Sequence, residues 1–222
     1  MNNLPLIFEN GHLFTILAGE SWLIDTGAPD SFGEDRELEL AEQTFKIAPS
    51  FMGLDAEQLT RFVDTPCRGL LGGDVLGAFD MLFNVTAGHL TLSEDQLDHP
   101  GSPVELDSFM GIPIVELNCS GRSFRFFFDT GAQISYLQDD LLLDYPALGD
   151  MKDFYPGFGE FETPTHEVAL ELAGIPLIQR CGRLPGLLGM SLGMADVEGV
   201  LGNAFMANRL VGYFPRRMQL RL

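Results

Sequence analysis

Two short stretches contain the residues of this sequence that are best suited to chemistry. Asp25 ends the apolar run of "WLIDTGAPDSF" (22–32), and Asp129 ends the apolar run of "FFFDTGAQISY" (126–136). A carboxylate at the end of a buried strand is unfavourable unless another group pairs with it. If the two stretches face each other, Asp25 and Asp129 pair with one another by sharing one proton.

Two carboxyl groups that share a proton supply an acid and a base at the same place. The ionised group takes a proton from a bound water, the protonated group donates to a substrate carbonyl, and the water adds to form a gem-diol. These steps need no metal. The hydroxyls of Thr26 and Thr130 can hydrogen-bond to the opposite loop, and Gly27 and Gly131 permit a tight turn and a close backbone approach.

The two stretches belong to a longer internal repeat. The segment "GLLGGDVLGAFDMLFNVTAGHLTL" (69–92) aligns without gaps on "GVLGNAFMANRLVGYFPRRMQLRL" (199–222), and the "GLLG" at 186–189 is an alternative match. Each aligned segment starts with Gly-aliphatic-aliphatic-Gly and ends in an alternating strand pattern. We expect one short helix after each Gly-aliphatic-aliphatic-Gly, with Asp74 as a candidate cap for the first helix.

The elements between these segments also repeat. "LELAEQTFKI" (38–47) resembles "LELAGIPLIQ" (170–179), and each predicts two short strands around a tight turn. A polar, turn-rich segment separates the copies, so we predict a first half of residues 1–97, a linker of 98–103 and a second half of 104–222. The element order predicts an all-β fold.

The paired Asp-Thr-Gly-Ala motifs, each followed by Gly-aliphatic-aliphatic-Gly, resemble those of the aspartic peptidases, and the short halves resemble the retropepsin-like branch. The resemblance implies two similar β-barrel halves related by a pseudo-twofold axis. It implies a peptide or protein substrate, no cofactor, no metal, and a monomer, since one chain carries both motifs. It also implies a catalytic pair and its supporting residues: Asp25 and Asp129, with Thr26, Gly27, Thr130 and Gly131.

The resemblance also concerns the chain termini. Terminal strands pair beneath the catalytic residues in retropepsins, and "LPLIF" (4–8) and "MQLRL" (218–222) are apolar terminal strands that would otherwise be exposed edges. We therefore expect these two strands to belong to one sheet that both halves share.

The family covers its cleft with a glycine-tipped hairpin, the flap. "YPGFGEF" (155–161) has glycines and aromatics for a flap, whereas a plain surface loop is the alternative interpretation. The first half has little more than Gly33–Arg36 at the corresponding place, so we expect it to lack a flap and to leave the cleft more open on that side. The predicted substrate-binding residues are Ala28, Ala132, Tyr155, Gly157, Phe158 and Gly159.

The residue after each Asp-Thr-Gly affects the expected pH dependence. Pepsin-like enzymes tend to have a hydroxyl residue there that stabilises a carboxylate, whereas Ala28 and Ala132 offer no such bond. We expect higher pKa values for the pair and a mildly acidic optimum.

Composition excludes several other classes of protein. The net charge of −19 over 222 residues argues against nucleic acid and anionic membrane surfaces as partners. No apolar run approaches the roughly 18 residues that span a bilayer, and no secretory signal is visible. The cysteines and histidines show no disulfide or metal spacing, so we expect reduced thiols and a cytoplasmic location. These residues are Cys67, Cys119 and Cys181, with His12, His89, His99 and His166.

Two other functions are consistent with parts of the pattern. A peptide-binding module with the same fold and an inactive pair is the first, although both Asp-Thr-Gly triplets are intact. A phosphotransferase of the actin-like class also uses paired Asp-x-Gly loops, but it needs a longer chain with interleaved helices and a phosphate site.

Overall fold

The structure is a computed structural model that describes the backbone of residues 1–222 and all side chains except those of Asp139, Asp140, Leu187 and Ser191. The chain is mostly β, as predicted. The strands before residue 98 are β1 (Asn2–Glu9), β2 (His12–Leu17), β3 (Glu20–Ile24), β4 (Phe32–Gly33), β5 (Glu37–Leu40), β6 (Gln43–Lys46), β7 (Ser50–Phe51), β8 (Leu54–Asp55), β9 (Gly69–Leu71), β10 (Asp80–Asn84) and β11 (His89–Ser93). The later strands are β12 (Pro103–Glu105), β13 (Asp107–Phe109), β14 (Ile112–Cys119), β15 (Arg122–Phe128), β16 (Ser135–Leu137), β17 (Ala147–Tyr155), β18 (Gly159–Leu172), β19 (Ile175–Gly182), β20 (Gly199–Leu201), β21 (Leu210–Phe214) and β22 (Gln219–Arg221).

One sheet of ten strands contains elements from both ends of the chain. Its order is β12-β22-β21-β10-β11-β1-β2-β3-β9-β4. Strand β10 pairs antiparallel with β21, with Met81 opposite Tyr213, and this pairing joins the first half to the second. The terminal strands β1 and β22 therefore belong to one sheet, as expected, but β11, β10 and β21 lie between them.

The segment predicted as a linker leads directly into this sheet. Residues 94–102 contain no strand or helix, while Pro103 already belongs to β12 and pairs with Arg221. The division of the chain into domains at this point stays a prediction.

A second sheet of eight strands carries most of the second half. Its order is β13-β14-β15-β20-β16-β19-β18-β17. Strand β15 pairs parallel with β20 in this sheet, just as β3 pairs parallel with β9 in the ten-stranded sheet. The Gly199–Leu201 strand is thus the counterpart of Gly69–Leu71, which confirms the alignment preferred on sequence.

The repeated Leu-Glu-Leu-Ala segments form hairpins, as predicted. In β5 the leucines are buried and the glutamates exposed, which is the period-two pattern of a half-buried strand. The turn to β6 has positive φ at Ala41 (52°) and Glu42 (67°), and the turn from β18 to β19 has it at Ala173 (49°) and Gly174 (82°). Two consecutive residues with positive φ give the tight turn that matches strand twist.

The short helix predicted after each Gly-aliphatic-aliphatic-Gly is confirmed, but the prediction that each half has only one helix was wrong. A short helix does follow each Gly-aliphatic-aliphatic-Gly: α2 (Gly73–Leu76) and the 3₁₀ helix Asn203–Met206. The structure adds α1 (Ala56–Val63), α3 (Asp139–Leu142), α4 (Gly186–Met194) and a 3₁₀ turn at Pro215–Arg217.

Helix α1 has a sequence signal that the repeat-based interpretation overlooked. Asp55 Oδ1 accepts from the Gln58 backbone N–H at 2.9 Å, and Gln58 Oε1 accepts from the Asp55 N–H at 3.2 Å. This capping box starts a helix whose buried face is Ala56, Leu59 and Val63. By contrast, the N-cap of α2 is Gly72, and the Asp74 carboxylate instead accepts from the Ser31 N–H at 2.8 Å.

A buried carboxylate links the end of the second half to the first. Asp80 on β10 is fully buried, and its two oxygens lie 2.9 Å from Arg216 Nη2 and 2.8 Å from Arg217 Nη2. The Leu97 N–H also donates to this carboxylate, at 3.0 Å. Because charge inside a protein is tolerated only when paired, Asp80 depends on both arginines.

We predict that Asp80→Asn lowers the free energy of unfolding by about 3 kcal/mol, because it removes the charge that two guanidinium groups require. Urea unfolding measures this change. The matched control is Asp107→Asn, which removes an exposed partner of Arg125 and is expected to change the free energy by about 1 kcal/mol or less. Equal effects of the two substitutions would contradict the structural role of Asp80.

Candidate active site

Matching backbone pairings position the two Asp-Thr-Gly loops. Each loop follows a strand, β3 or β15, that lies parallel to a Gly-aliphatic-aliphatic strand, β9 or β20. The Asp25 N–H donates to Leu71 O at 3.0 Å, and the Asp129 N–H donates to Leu201 O at 3.0 Å. The strand ends therefore fix the start of each loop in the same way.

The two threonines lock the loops to each other. The Thr26 N–H donates to Thr130 Oγ1 at 3.0 Å, and the Thr130 N–H donates to Thr26 Oγ1 at 3.0 Å. Each hydroxyl then donates onward across the interface, Thr26 to Phe128 O at 2.7 Å and Thr130 to Ile24 O at 2.8 Å. Both side chains are buried. The predicted hydrogen bonds from each threonine hydroxyl to the opposite loop are therefore confirmed.

Backbone amides hold one oxygen of each carboxyl group. Asp25 Oδ1 accepts from the N–H groups of Gly27 at 2.8 Å and Ala28 at 3.0 Å. The same arrangement holds in the second loop, where Asp129 Oδ1 accepts from residues 131 and 132 at 2.8 and 3.1 Å.

The glycines let the carboxyl groups approach one another. A Cβ atom built on Gly27 would overlap the carboxyl group of Asp129, and one built on Gly131 would overlap that of Asp25. Glycine is required here because the opposite acid occupies the space of a side chain. The structure thus brings together both predicted acids, both threonines and both glycines.

The environment raises the pKa of both acids. Burial is the largest cause for Asp25, whose pKa lies well above its usual range, and the charge and hydrogen bond of Asp129 raise it further. Burial also raises the pKa of Asp129, while the bond from Asp25 and the amides of Gly131 and Ala132 oppose that rise. Burial is therefore the largest cause of the raised pKa values of both acids. The effect of Ala28 and Ala132 on the pH optimum stays a prediction.

A cleft lies above the pair and has walls from both halves. The two acids, both glycines and both alanines form its floor. The walls are mainly apolar, with Asp153 and two tyrosine hydroxyls as polar groups. From the first half they comprise Leu23, Phe51, Met52, Leu54, Leu59 and Leu70, and from the second half Tyr136, Asp153, Phe154, Tyr155, Pro156, Phe161, Leu184 and Val200.

The predicted flap is the tip of a long hairpin. Strands β17 and β18 pair from Ala147 to the tip, where Tyr155 is opposite Gly159. Gly157 and Gly159 have φ values of 76° and 96°, as a tight glycine turn requires. Tyr155 lines the cleft, and burial followed by the two acids raises its pKa.

Other predicted flap residues lie outside the cleft lining. Phe158 is 45% exposed and packs edge-on against Phe161, with ring centroids 6.2 Å apart. Gly157 and Gly159 likewise do not line the cleft in the part of the chain that the structure describes. Their role in substrate binding stays a prediction.

The expectation of an open side on the first half was wrong. The turn between β7 and β8 carries Met52, whose Cε lies 3.2 Å from the position of a Cβ on Gly157 at the flap tip. Phe62 of α1 stacks on Phe154 of β17, with centroids 4.6 Å apart and rings inclined by 13°. The covering element follows the Leu-Glu-Leu-Ala hairpin and does not precede it, so the short Gly33–Arg36 segment does not leave the cleft open.

Sequence reasoning missed three polar contacts near the pair. His12 is buried, and its Nδ1 lies 3.0 Å from Gly131 O. Asn203 is fully buried beside the same loop. The Tyr136 hydroxyl donates to Asp153 on the flap hairpin. The sequence does contain a signal for Asn203: it aligns with Gly73, so one repeat has a polar side chain where the other has none.

The described residues contain neither a candidate metal cluster nor a helix that could span a membrane. Among them, no group of three or more His, Cys, Asp or Glu side chains is arranged to hold a metal ion. The helices that are described are all too short or too polar to cross a membrane.

Comparison with known proteins adds no identity. No protein-family model matches the sequence, and a search of curated proteins finds no match. The functional assignment therefore depends on the geometry of the site.

The raised pKa of Asp25 predicts how stability changes with pH. The folded protein retains a proton that the unfolded chain releases above about pH 3.9, so stability falls as pH rises from there towards the folded-state pKa. Asp25→Asn removes this titration. We therefore compare the free energy of unfolding of Asp25→Asn with that of the parent at two pH values. We predict that the difference, variant minus parent, is larger at pH 7.5 than at pH 4.5.

Urea unfolding at both pH values measures this difference. The matched control is Asp30→Asn, which removes an exposed acid of the same loop and is expected to have the same effect at both values. A relative gain for Asp25→Asn that is larger at pH 4.5 would show that the pKa of Asp25 is lowered, not raised.

Proposed function

We propose that this chain is an aspartic endopeptidase of the retropepsin-like type, which hydrolyses peptide bonds with a water activated by Asp25 and Asp129. One observation carries the proposal: two carboxyl groups lie against each other at the floor of a cleft, held by two matched sets of hydrogen bonds. Each amide bond to Asp25 has a counterpart at Asp129.

The chemistry follows from one proton shared by two acids. The ionised carboxylate accepts a proton from a water molecule while the water oxygen bonds to the peptide carbonyl carbon. The protonated carboxyl group donates its proton to the carbonyl oxygen, and a gem-diol forms. The carboxyl group that took the proton from water then donates it to the amide nitrogen. As the C–N bond breaks, the other carboxylate takes a proton from one gem-diol hydroxyl, which releases a carboxylic acid and an amine and restores the singly protonated pair.

Matched elements support two β-barrel halves related by a pseudo-twofold axis. The Ser31 hydroxyl accepts from the Gly72 N–H at 2.7 Å, and the Ser135 hydroxyl accepts from the Gly202 N–H at 3.1 Å. The parallel strand pairs, the Leu-Glu-Leu-Ala hairpins and the short helices after each glycine segment recur in the same order. Because one chain supplies both acids, we propose that a monomer is sufficient for activity.

The cleft supports a peptide or protein as substrate. Its apolar walls suit side chains on both sides of the bond to be cut. The flap hairpin covers the cleft from the second half, and the Met52 turn with α1 covers it from the first half. These covers would exclude bulk water from the reacting groups once a peptide is bound.

We predict that Asp25→Asn and Asp129→Asn each reduce peptide hydrolysis by about 100-fold or more without unfolding the protein, because each removes one of two required acid–base groups. Cleavage of a peptide library, followed by mass spectrometry, measures the activity. Asp30→Asn is the matched control and should retain parental activity.

Two outcomes would overturn the proposal. Near-parental activity in either single variant would show that cleavage does not use the pair. Tight binding of a peptide-like inhibitor with no cleavage by the parent protein at any pH from 3 to 7 would favour an inactive peptide-binding module on this fold.

The cleft lining predicts which flap aromatic matters. Tyr155 lines the cleft and lies near both acids, whereas Phe158 does not line the cleft and packs against Phe161, a residue of the cleft wall. Tyr155 is 37% exposed, so it has apolar surface left to bury against a bound peptide. We predict that Tyr155→Ala lowers kcat/KM by about tenfold or more, since a ring that becomes fully buried contributes roughly 1.5–3 kcal/mol. Phe158→Ala is the matched control, with a loss of about threefold or less. A larger loss for Phe158→Ala would show that the flap tip rearranges over the substrate.

A further inference from the structure

The amides that hold Asp129 receive side-chain hydrogen bonds on their carbonyl side. The Gly131 N–H donates to Asp129 Oδ1 at 2.8 Å, and the carbonyl of the same peptide group is Thr130 O. Asn203 Nδ2 donates to that carbonyl at 2.9 Å. The second donor to Asp129 Oδ1 is the Ala132 N–H, and the carbonyl of that peptide group is Gly131 O. His12 Nδ1 lies 3.0 Å from Gly131 O.

The Asp25 loop lacks these side chains. Gly73 occupies the place of Asn203: its N–H donates to Ala28 O at 2.8 Å, as the Asn203 N–H donates to Ala132 O at 2.9 Å. A Cβ on Gly73 would face Gly111 O, just as Asn203 Nδ2 donates to Gly11 O.

The position in the second half that corresponds to His12 holds an apolar residue, Ile112. Gly11 and Gly111 both have positive φ, at 79° and 84°, and each faces the catalytic loop of the opposite half. The residue after Gly111 is Ile112, whereas the residue after Gly11 is His12. In the described part of the chain, no side chain donates to the carbonyls of Thr26 or Gly27.

Donation to a peptide carbonyl strengthens the N–H of the same peptide group, because chained hydrogen bonds polarise one another. Stronger N–H donors stabilise an ionised carboxylate. We propose that His12 and Asn203 are positioning residues that make the pair unequal, so that Asp129 carries the charge and Asp25 holds the shared proton. In the proposed peptidase, on which this inference depends, Asp129 is then the base towards water and Asp25 the acid towards the carbonyl.

The state of the Asn203 side chain supports this assignment. Both partners of Nδ2 are carbonyl oxygens, which only the amino end of the amide can serve, so its orientation is fixed. Its Oδ1 is buried without a partner among the described atoms, which is unfavourable for stability. The unpaired Oδ1 destabilises the protein, whereas Nδ2 makes two hydrogen bonds, one of them to the Asp129 loop. This contrast indicates that the Nδ2 group is the functional part of the Asn203 side chain.

Other titratable groups surround the pair, and their effects differ. Asp153 on β17 raises the pKa of Asp129 and so opposes charge there. Tyr136 on β16 lies near Asp153 and Asp129, and Tyr155 on β17 lies near Asp129 and Asp25. His12 itself is buried, which lowers its pKa and keeps it a neutral donor to Gly131 O. Burial raises the pKa of both Asp25 and Asp129, as expected of a pair that retains one proton.

The test is a pH titration of the full chain labelled with ¹³C at the aspartate carboxyl groups, with Asp25 and Asp129 assigned by their Asn variants. In the parent, when the pair holds one proton, the shift of Asp129 should be that of a carboxylate and the shift of Asp25 that of an acid. Asn203→Gly copies the first half, and His12→Phe removes the donor while keeping the ring. Each should raise the first apparent pKa by about 0.3 unit and transfer charge towards Asp25.

Gly73→Asn is the reciprocal variant. A Cβ there would lie 3.4 Å or more from its nearest neighbours, which are backbone carbonyl oxygens, so a side chain can start at this position. We expect its amide to donate to the Asp25 loop as Asn203 does to the other. It should transfer charge to Asp25 without removing any native contact. The matched control is His99→Phe, which removes a buried histidine whose Nε2 lies 3.1 Å from Leu210 O and should leave the titration unchanged.

The outcomes separate this inference from the proposed function. Equal charge on both acids in the parent, charge on Asp25, or no change in folded Gly73→Asn would overturn the inference, whether or not the protein cleaves peptides. If peptides are cleaved, the acidic limb of kcat/KM should move upward in pH for Asn203→Gly and His12→Phe. An absence of cleavage with the expected titration would overturn the proposed function alone.

Discussion

The organisation of this molecule depends on the contact between two carboxyl groups that neither half can bury alone. Burial raises the pKa of both Asp25 and Asp129, so each needs the other as a partner for a shared proton. The reciprocal bonds between Thr26 and Thr130 hold the loops at the distance this contact requires. The parallel strand pairs fix where each loop starts, and the β10–β21 pairing joins the halves in one sheet. A shift in any of these elements would separate the acids and leave each one buried without its partner.

The halves agree where they hold the acids and differ where they cover the cleft. The second half inserts its extra residues before the Leu-Glu-Leu-Ala hairpin and forms one long flap hairpin. The first half inserts its residues after that hairpin and forms the β7–β8 turn and α1. Both insertions bring aromatic rings to the same place, where Phe62 stacks on Phe154. Loops at the edge of a cleft tolerate such changes because they carry few of the contacts that fix the core.

The sequence predicts those parts of the structure that depend on repeated local patterns. The Asp-Thr-Gly motifs, the Leu-Glu-Leu-Ala hairpins, the strand at Gly199–Leu201 and the glycine-tipped hairpin follow from residue types at short range. Helix α1 was also recoverable, since its capping box is a local signal. The contacts of Asn203 were not, because they join it to Gly11 across the length of the chain, and only the fold brings these residues together. The shared sheet was expected, but its order, with three strands between β1 and β22, depends on pairings that have no local signature.

A fused duplication permits an arrangement that two identical chains cannot adopt in their symmetric state. In a symmetric pair, the same residue must stand at both equivalent positions, so both catalytic loops have the same surroundings. Here the equivalent positions hold Gly73 and Asn203, and Ile112 and His12. The differences concern the carbonyl side of the amides that hold the acids, and the hydrogen bonds common to both loops are unchanged. The duplication thus keeps the geometry of the pair while allowing the proposed roles of acid and base to be assigned by separate residues, which is the physical advantage of carrying both halves in one chain.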